Sequence, residues 1–409
     1  MRLWRTLLLL IFVINGFQLV YSQDISLVKK NLKILTSKHF SGRGYVNQGD
    51  DKASKFLVKK FKKYGLLPIN HSYTQPYSFR INTFPKKLSF YANNQVLEAG
   101  VDYIVRSSAT TIKGEFPCIY MPLTDKQKEM DLSSHFLVGN EEYKELAKDN
   151  FFQAKGFVFL KEKQPYWSVS SGRDTSSYII FDVDETKLKD SIKKIRLDIS
   201  SKFQANHQTQ NVWGLVKGKT YPDSLILITA HYDHLGKMGQ VIYPGGNDNA
   251  SGTAMVLELA RYFAIPENQP AVSIMFVLYS GEEVGLMGSR YMAKHFPFPL
   301  EQIKLQINLD MVASGSEGIT IVNGKQFPEI FQRFVDINNA HKYLSKVKVR
   351  GESCNSDHCP LYQKGVVSVF IYTLGPECWA YHIPQDNYAS LPLTEFADLF
   401  HLIVDFVQE

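Results

Sequence analysis

Leu225-Ile226-Leu227-Ile228-Thr229-Ala230-His231-Tyr232-Asp233-His234 is the stretch on which the fold turns. Residues 225–230 carry no charge and are apolar or β-branched at every position, so the segment is apolar on both faces. A strand of that kind is buried on both sides, as in a parallel sheet covered by helices. The run then gives way to His231 and Asp233, polar groups just past the carboxyl end of the strand, where open α/β sheets bind their ligands. The pattern recurs. Val272 to Tyr279 leads into Ser280-Gly281-Glu282-Glu283, Leu305 to Leu309 into Asp310, and Val366 to Tyr372 precedes Tyr381-His382-Ile383-Pro384-Gln385-Asp386. Helical periodicity lies between these runs, over Ser251 to Phe263 and Pro328 to Ala340. The alternation predicts an α/β fold with a mostly parallel central sheet and helices on both faces.

Upstream the texture changes. Residues 25–67 read as helical, with Ile25, Val28, Leu32 and Leu35 on one side and a second helix from Lys52 to Tyr64 stopped by Gly65. Residues 76–205 hold short alternating runs such as Leu88 to Tyr91, Pro117 to Met121 and Gly156 to Leu160, the pattern of a smaller β-rich module. At the start, Arg2 and Arg5 precede a nearly unbroken apolar run from Thr6 to Val20, then Tyr21 and Ser22. That is the form of a secretory signal peptide over residues 1–22, and the run is short for an uncleaved membrane anchor. Its removal predicts an exported chain, periplasmic or secreted, with no stable membrane insertion. With 44% hydrophobic and 21% charged residues, the chain has the composition of a globular protein rather than a disordered one. The basic surplus of six is weak, and Lys59-Lys60-Phe61-Lys62-Lys63 reads as a solvated helix face, so no nucleic-acid partner is expected. Four cysteines are too few for a disulfide scaffold; Cys354 and Cys359 are near enough to close a small loop, and Cys118 reads as buried.

The polar groups at the strand exits carry the chemistry. His231 and Asp233, two apart on an extended segment, project to one side, and a carboxylate there can orient an imidazole whose other nitrogen binds metal. Gly245-Gly246-Asn247-Asp248-Asn249 is a glycine-rich turn that places Asp248 at the start of a helix, where an Asp is as often a cap as a ligand. Glu282 and Glu283 are adjacent, so on an extended segment one can bind a metal while the other faces substrate as a general base. Each cluster alone is ordinary. Together they bring imidazoles and carboxylates to one sheet edge, a donor set that suits zinc and, with a bridging Asp, two metal ions.

With these residues in place, the sequence from about Asn211 to the C-terminus resembles the co-catalytic zinc aminopeptidases of metallopeptidase family twenty-eight. Ser41-Gly42-Arg43-Gly44, Ala53 and Gly65-Leu66 are similar to that family's opening helices. The resemblance implies a zinc exopeptidase fold and two zinc ions per chain: His231 and Asp310 on one, Glu283 and His382 on the other, Asp248 bridging both. Glu282 would be the general base and Asp233 would orient His231. It further implies a cis Asp248–Asn249 peptide, pocket or outer positions for Asp357 and His358, and peptide substrates cut at their N-terminal residue. His234 and His295 receive no role. Met311, Cys378, Trp379 and Tyr381 flank the ligands and can form an apolar pocket favouring hydrophobic N-terminal residues.

The domain reading is therefore residues 1–22 as signal peptide, 23–75 as the N-terminal part of a catalytic domain, 76–205 as an inserted module resembling a protease-associated domain, and 206–409 as the main catalytic part. Two other activities remain compatible with the scaffold. One is a glutaminyl cyclase-like zinc acyltransferase; the other is a non-catalytic binding relative.

Overall fold

The computed structural model describes residues 23–170 and 178–409, so the signal-peptide reading of residues 1–22 lies outside the described residues. Two eight-stranded sheets organise the chain. In the first, β1 (Thr74–Thr83), β2 (Lys202–Val216), β3 (Tyr221–His231), β4 (Val272–Tyr279), β5 (Ile303–Leu309), β6 (Ile319–Val322), β7 (Val347–Val349) and β8 (Ser368–Thr373) are ordered β1-β2-β4-β3-β5-β8-β6-β7. The central strands β4, β3, β5 and β8 run parallel. To one side β1 and β2 pair antiparallel, with β2 antiparallel to β4; to the other, β6 is antiparallel to β8. The sheet is thus mixed, with its parallel character concentrated at the centre, where both faces are covered.

Burial on both faces follows from the alternation along each strand. In β4, Ile274, Phe276 and Leu278 join the core made with helices Ile25–Leu35, Gly49–Tyr64, Gly252–Phe263 and Phe396–Gln408. Met275, Val277 and Tyr279 point the other way, toward Met292 and Ala293 of helix Met287–Lys294 and Leu361. At about 25 cal/mol per Å² of apolar area buried, these continuous runs supply the driving force that sets the sheet between two helical layers. Gly65 adopts the left-handed conformation that ends the second helix, as its position predicts.

The second sheet draws on residues 89–199, in the order 95–97, 89–92, 194–199, 112–120, 136–139, 156–161, 179–184, 103–105. The strands at the two ends of the 76–205 stretch belong to the first sheet, so β1 and β2 are the stems on which the second sheet is carried. A shared core holds the two together: Phe79, Ile81 and Phe84 pack with Phe90, Tyr103, Phe181 and Ile195, and with Leu235, Met238 and Tyr243 of the segment after β3. Cys354 and Cys359 form a disulfide. Cys118 is half-buried rather than buried, packed against the core of the second sheet from a strand that is only partly covered even on that face; burial still pushes its thiol up to about 12. Among the described residues, no helix is long and apolar enough to cross a membrane.

Candidate metal centre

Parallel register brings the strand exits level. His231 pairs with Tyr279, Thr229 with Asn308, and Leu309 with Ile371, so His231, the Glu282-Glu283 turn and Asp310 leave the sheet at one edge. Asp248 reaches this edge from the turn that follows β3 and opens helix Gly252–Phe263. At Gly245, φ is +58° and an added Cβ would lie 2.1 Å from the Asp248 carbonyl and 2.4 Å from the His234 ring, so only glycine lets the turn close. Asn249 fastens the turn to β5, donating to Leu309 O at 2.9 Å and accepting from Gly252 N–H at 2.8 Å. The Asp248–Asn249 peptide is cis.

Asp248 divides its carboxylate. Oδ1 lies 3.3 Å from His231 Nε2, which is also 3.3 Å from Asp310 Oδ1; Oδ2 lies 3.1 Å from His382 Nε2, which is 3.3 Å from Glu283 Oε2. The five residues expected to bind metal are therefore together, with Asp248 between the His231–Asp310 pair and the His382–Glu283 pair. Asp310 Oδ1 is buried and, among the described residues, has no hydrogen-bond partner, while its Oδ2 accepts from Ser356 Oγ at 2.9 Å. Two ligands of one tetrahedral zinc, each ~2.0–2.1 Å from the ion, stand about 3.3 Å apart. The nitrogen-to-oxygen separations match that spacing, and the mixed imidazole and carboxylate set suits zinc.

His234 competes for attention at the second centre. Its Nδ1 is 2.5 Å from Glu283 Oε1 and 3.9 Å from Asp248 Oδ1. A separation of 2.5 Å is too short for two ligands of one ion and fits a hydrogen bond that fixes Glu283, so His382 is the better ligand candidate. The family resemblance supplies no role for His234, and strand alternation does not constrain it, because β3 ends at His231.

The Glu282-Glu283 pair departs from the extended geometry expected of it. β4 ends at Tyr279, Gly281 has φ +69°, and Gly285 N–H bonds to Glu282 O at 2.8 Å, so the two carboxylates are separated by a turn rather than by the pleat. Asp233 explains how the turn is held. Its carboxylate accepts the Tyr45 hydroxyl and the Glu282 and Glu283 N–H groups, at 3.2 and 3.4 Å for the last two. Its Oδ1 stands 3.8 Å from His231 Nδ1, which lies closer, at 3.2 Å, to the Asp233 carbonyl. Asp233 thus orients the glutamate turn at least as directly as the imidazole.

Beneath the cluster, Arg43 is fully buried and donates to Tyr232 O, Leu35 O, Pro244 O and Gly245 O at 2.5–3.2 Å. Burial lowers its pKa to about 10 against the attraction of Asp386 and Asp248. Asp386, part of the His382 cluster but given no role from sequence, accepts Asn247 N–H at 2.7 Å and Asp248 N–H at 3.1 Å. Burial, with Asp357, Glu283 and Asp310 as like-charged neighbours, holds Glu282 well above the ordinary carboxylate range despite His231. Burial likewise lifts Asp357 to about 7. Asp357 and His358 are fully buried. His295 is exposed, against Tyr291. Trp379 and Tyr381 are 69% and 47% exposed, the latter stacked on His382, while Met311 and Cys378 are half-buried.

Known proteins share both the segment and the fold. Aminopeptidase YwaD of Bacillus subtilis (strain 168) is 31% identical over 201 residues, which are 44% of this chain and 40% of that protein. The chain thus spans well under half the length of that relative. A probable leucine aminopeptidase of Arthroderma otae is 25% identical over 60% of this chain and 68% of its own length. Among solved structures, BSAP, a zinc aminopeptidase from Bacillus subtilis, superposes with a TM-score of 0.70 over 93% of both chains at 20% identity, a likeness of fold. Residues 211–407, which carry every one of the five candidate ligands, match peptidase family M28.

Proposed function

We propose that the chain is an exported two-zinc aminopeptidase that removes the N-terminal residue of peptides. The observation that carries this reading is Asp248, whose two carboxylate oxygens face two different imidazoles at 3.3 and 3.1 Å, each beside a further carboxylate. His231 and Asp310 would hold one zinc, Glu283 and His382 the other, with Asp248 common to both. When bound, the zinc ions supply Lewis acidity toward a scissile carbonyl and toward water. The proton chemistry falls to Glu282, which has no assigned ligand role. Its raised affinity for a proton suits a group that takes one from the attacking water and returns it to the departing amine. Asp233 and Tyr45 keep Glu282 in place through the turn. An uncharged free α-amine has a lone pair that a bound zinc ion could accept, which an acylated nitrogen does not.

Paired peptides with free and acetylated N-termini test the reading. The free peptide should be cut at its first bond, the acetylated one should resist, and 1,10-phenanthroline should abolish cleavage until zinc is restored. Equal cleavage of both peptides would remove the aminopeptidase assignment. Ammonia release from a Gln-initiated peptide, without loss of a residue, would favour the cyclase alternative.

A further inference from the structure

We propose that a strap in the second module, residues 164–167, positions His382 and thereby sets zinc affinity at the Glu283–His382 position alone; this rests on the two-zinc reading. The strap and the ligand are 215 residues apart and bond reciprocally: Trp167 N–H donates to His382 O at 3.0 Å, and His382 Nδ1 donates to Trp167 O at 2.9 Å. The second bond commits the Nδ1 proton and leaves Nε2 directed at Asp248 and Glu283. The backbone at His382 has φ +55°, a left-handed conformation that a non-glycine residue keeps only where its surroundings hold it.

The strap is itself anchored. Trp167 is 2% exposed, its indole N–H donates to Val105 O at 2.9 Å, and its ring packs on Tyr243 with centroids 5.0 Å apart. Gln164 donates to Gly100 O at 2.8 Å and exchanges amide bonds with Gln385 at 3.1 and 3.3 Å, three residues past the ligand. The contacts of the other candidate ligands differ in kind. His231, Asp248, Glu283 and Asp310 meet Asp233, Asp386, His234 and Ser356, all within residues 211–407. Among the described residues, His382 is the candidate ligand whose side chain hydrogen-bonds to the second module. Carbonyl partners of ligating histidines fix tautomer and ring orientation, and their loss costs ~10–100-fold in metal affinity. Trp167 is accordingly a positioning residue.

The test is a zinc titration of the full chain, stripped with chelator and followed by competition with a chromogenic chelator, together with the melting temperature of the zinc-free form. The wild type should take up two ions. Trp167→Ala and Gln164→Ala should bind one ion as the wild type does and the other ~10–100-fold more weakly. Trp167→Phe, which refills most of the indole space, should recover much of the loss. Equal weakening of both ions alongside a fallen melting temperature would make the strap merely structural and overturn the proposal, as would two unaltered affinities. Should Trp167→Ala fail to fold, Gln164→Ala decides on the same criteria. A wild type that takes up a single ion overturns the two-zinc reading, and the strap with it; unaltered variants of a two-ion wild type overturn the strap alone.

Discussion

The two halves of the candidate centre are built differently. His231 and Asp310 sit at the ends of β3 and β5, adjacent parallel strands whose ladder bonds fix both backbones before any side chain is considered. Glu283 and His382 lie on a turn opened by Gly281 and on a loop in left-handed conformation, each held by contacts made elsewhere. Asp233 and His234 hold the first, and Trp167 and Gln164 the second. A ligand at a strand end is placed by the sheet. A ligand on a loop is placed by whatever the loop touches, and its affinity is correspondingly open to substitution at a distance.

The sharpest break in that comparison concerns the adjacent glutamates of one turn. Glu282→Gln keeps the shape of the side chain but cannot take up a proton, so turnover should fall ~10²–10⁴-fold, with both zinc ions retained and the fold intact. Glu283→Gln exchanges an anionic ligand candidate for a neutral amide that His234 can no longer hold in the same way. It should lower zinc occupancy at one position first and activity as a consequence. Metal stoichiometry after dialysis, set beside turnover at saturating zinc, separates the two. Metal loss in Glu282→Gln with two ions kept in Glu283→Gln would reverse the roles.

Next in size is the link between the halves. Asp386 shares a loop with His382 yet receives the N–H groups of Asn247 and Asp248, so it steadies the residue common to both centres. Asp386→Asn can accept only one of those bonds and turns an amide N–H toward the other. Zinc affinity should drop ~10–100-fold at both positions, in contrast to the strap variants, which should affect one. Loss confined to one ion would show that the Asp248 turn is held well enough by Asn249 and Arg43.

The same contrast explains what could be read from sequence. The runs 225–230, 272–279 and 305–309 are apolar on both faces, and periodicity alone places them as central strands with His231, the glutamates and Asp310 at their exits. Parallel register then makes these groups neighbours, which is why a set spread over 80 residues of sequence is found within a few ångströms. No local pattern marks Tyr45 or Trp167, whose partners lie 188 and 215 residues away, and the motif that holds Arg43 gives no sign of its bond to Tyr232, 189 residues on. His234 and Asp386 stood inside clusters already singled out; their roles were hidden because His234 lies three residues past the end of β3, where alternation no longer fixes a side, and the backbone partners of Asp386 lie 139 and 138 residues away. The membership of β1 and β2 in the first sheet was equally hidden, because alternation reads the same on either sheet.

The smallest effect belongs to the strand-built half and its one loop support. Ser356 donates to Asp310, and it lies within the loop closed by Cys354 and Cys359, where His358 is fully buried. The His358 Nε2–H donates to Ser353 O at 2.7 Å. Burial, aided by the charge of Arg350 and opposed by the Ser353 bond, lowers its pKa to about 4. The imidazole is neutral in the folded chain and takes a proton near pH 6.5 when unfolded. Between these values the unfolded state binds more protons, so stability from this group is complete above pH 6.5 and drains as pH falls toward 4. At ~1.4 kcal/mol per pH unit, the loss should be about 1 kcal/mol by pH 5.5. His358→Gln, which can still donate to Ser353 but does not titrate, should flatten that part of the curve of melting temperature against pH. An unchanged slope between pH 6.5 and 5 would show that His358 takes up its proton as readily in the folded chain as in the unfolded one because the loop yields to water, and the strand-built half would then owe its rigidity to β3 and β5 without help from the disulfide loop.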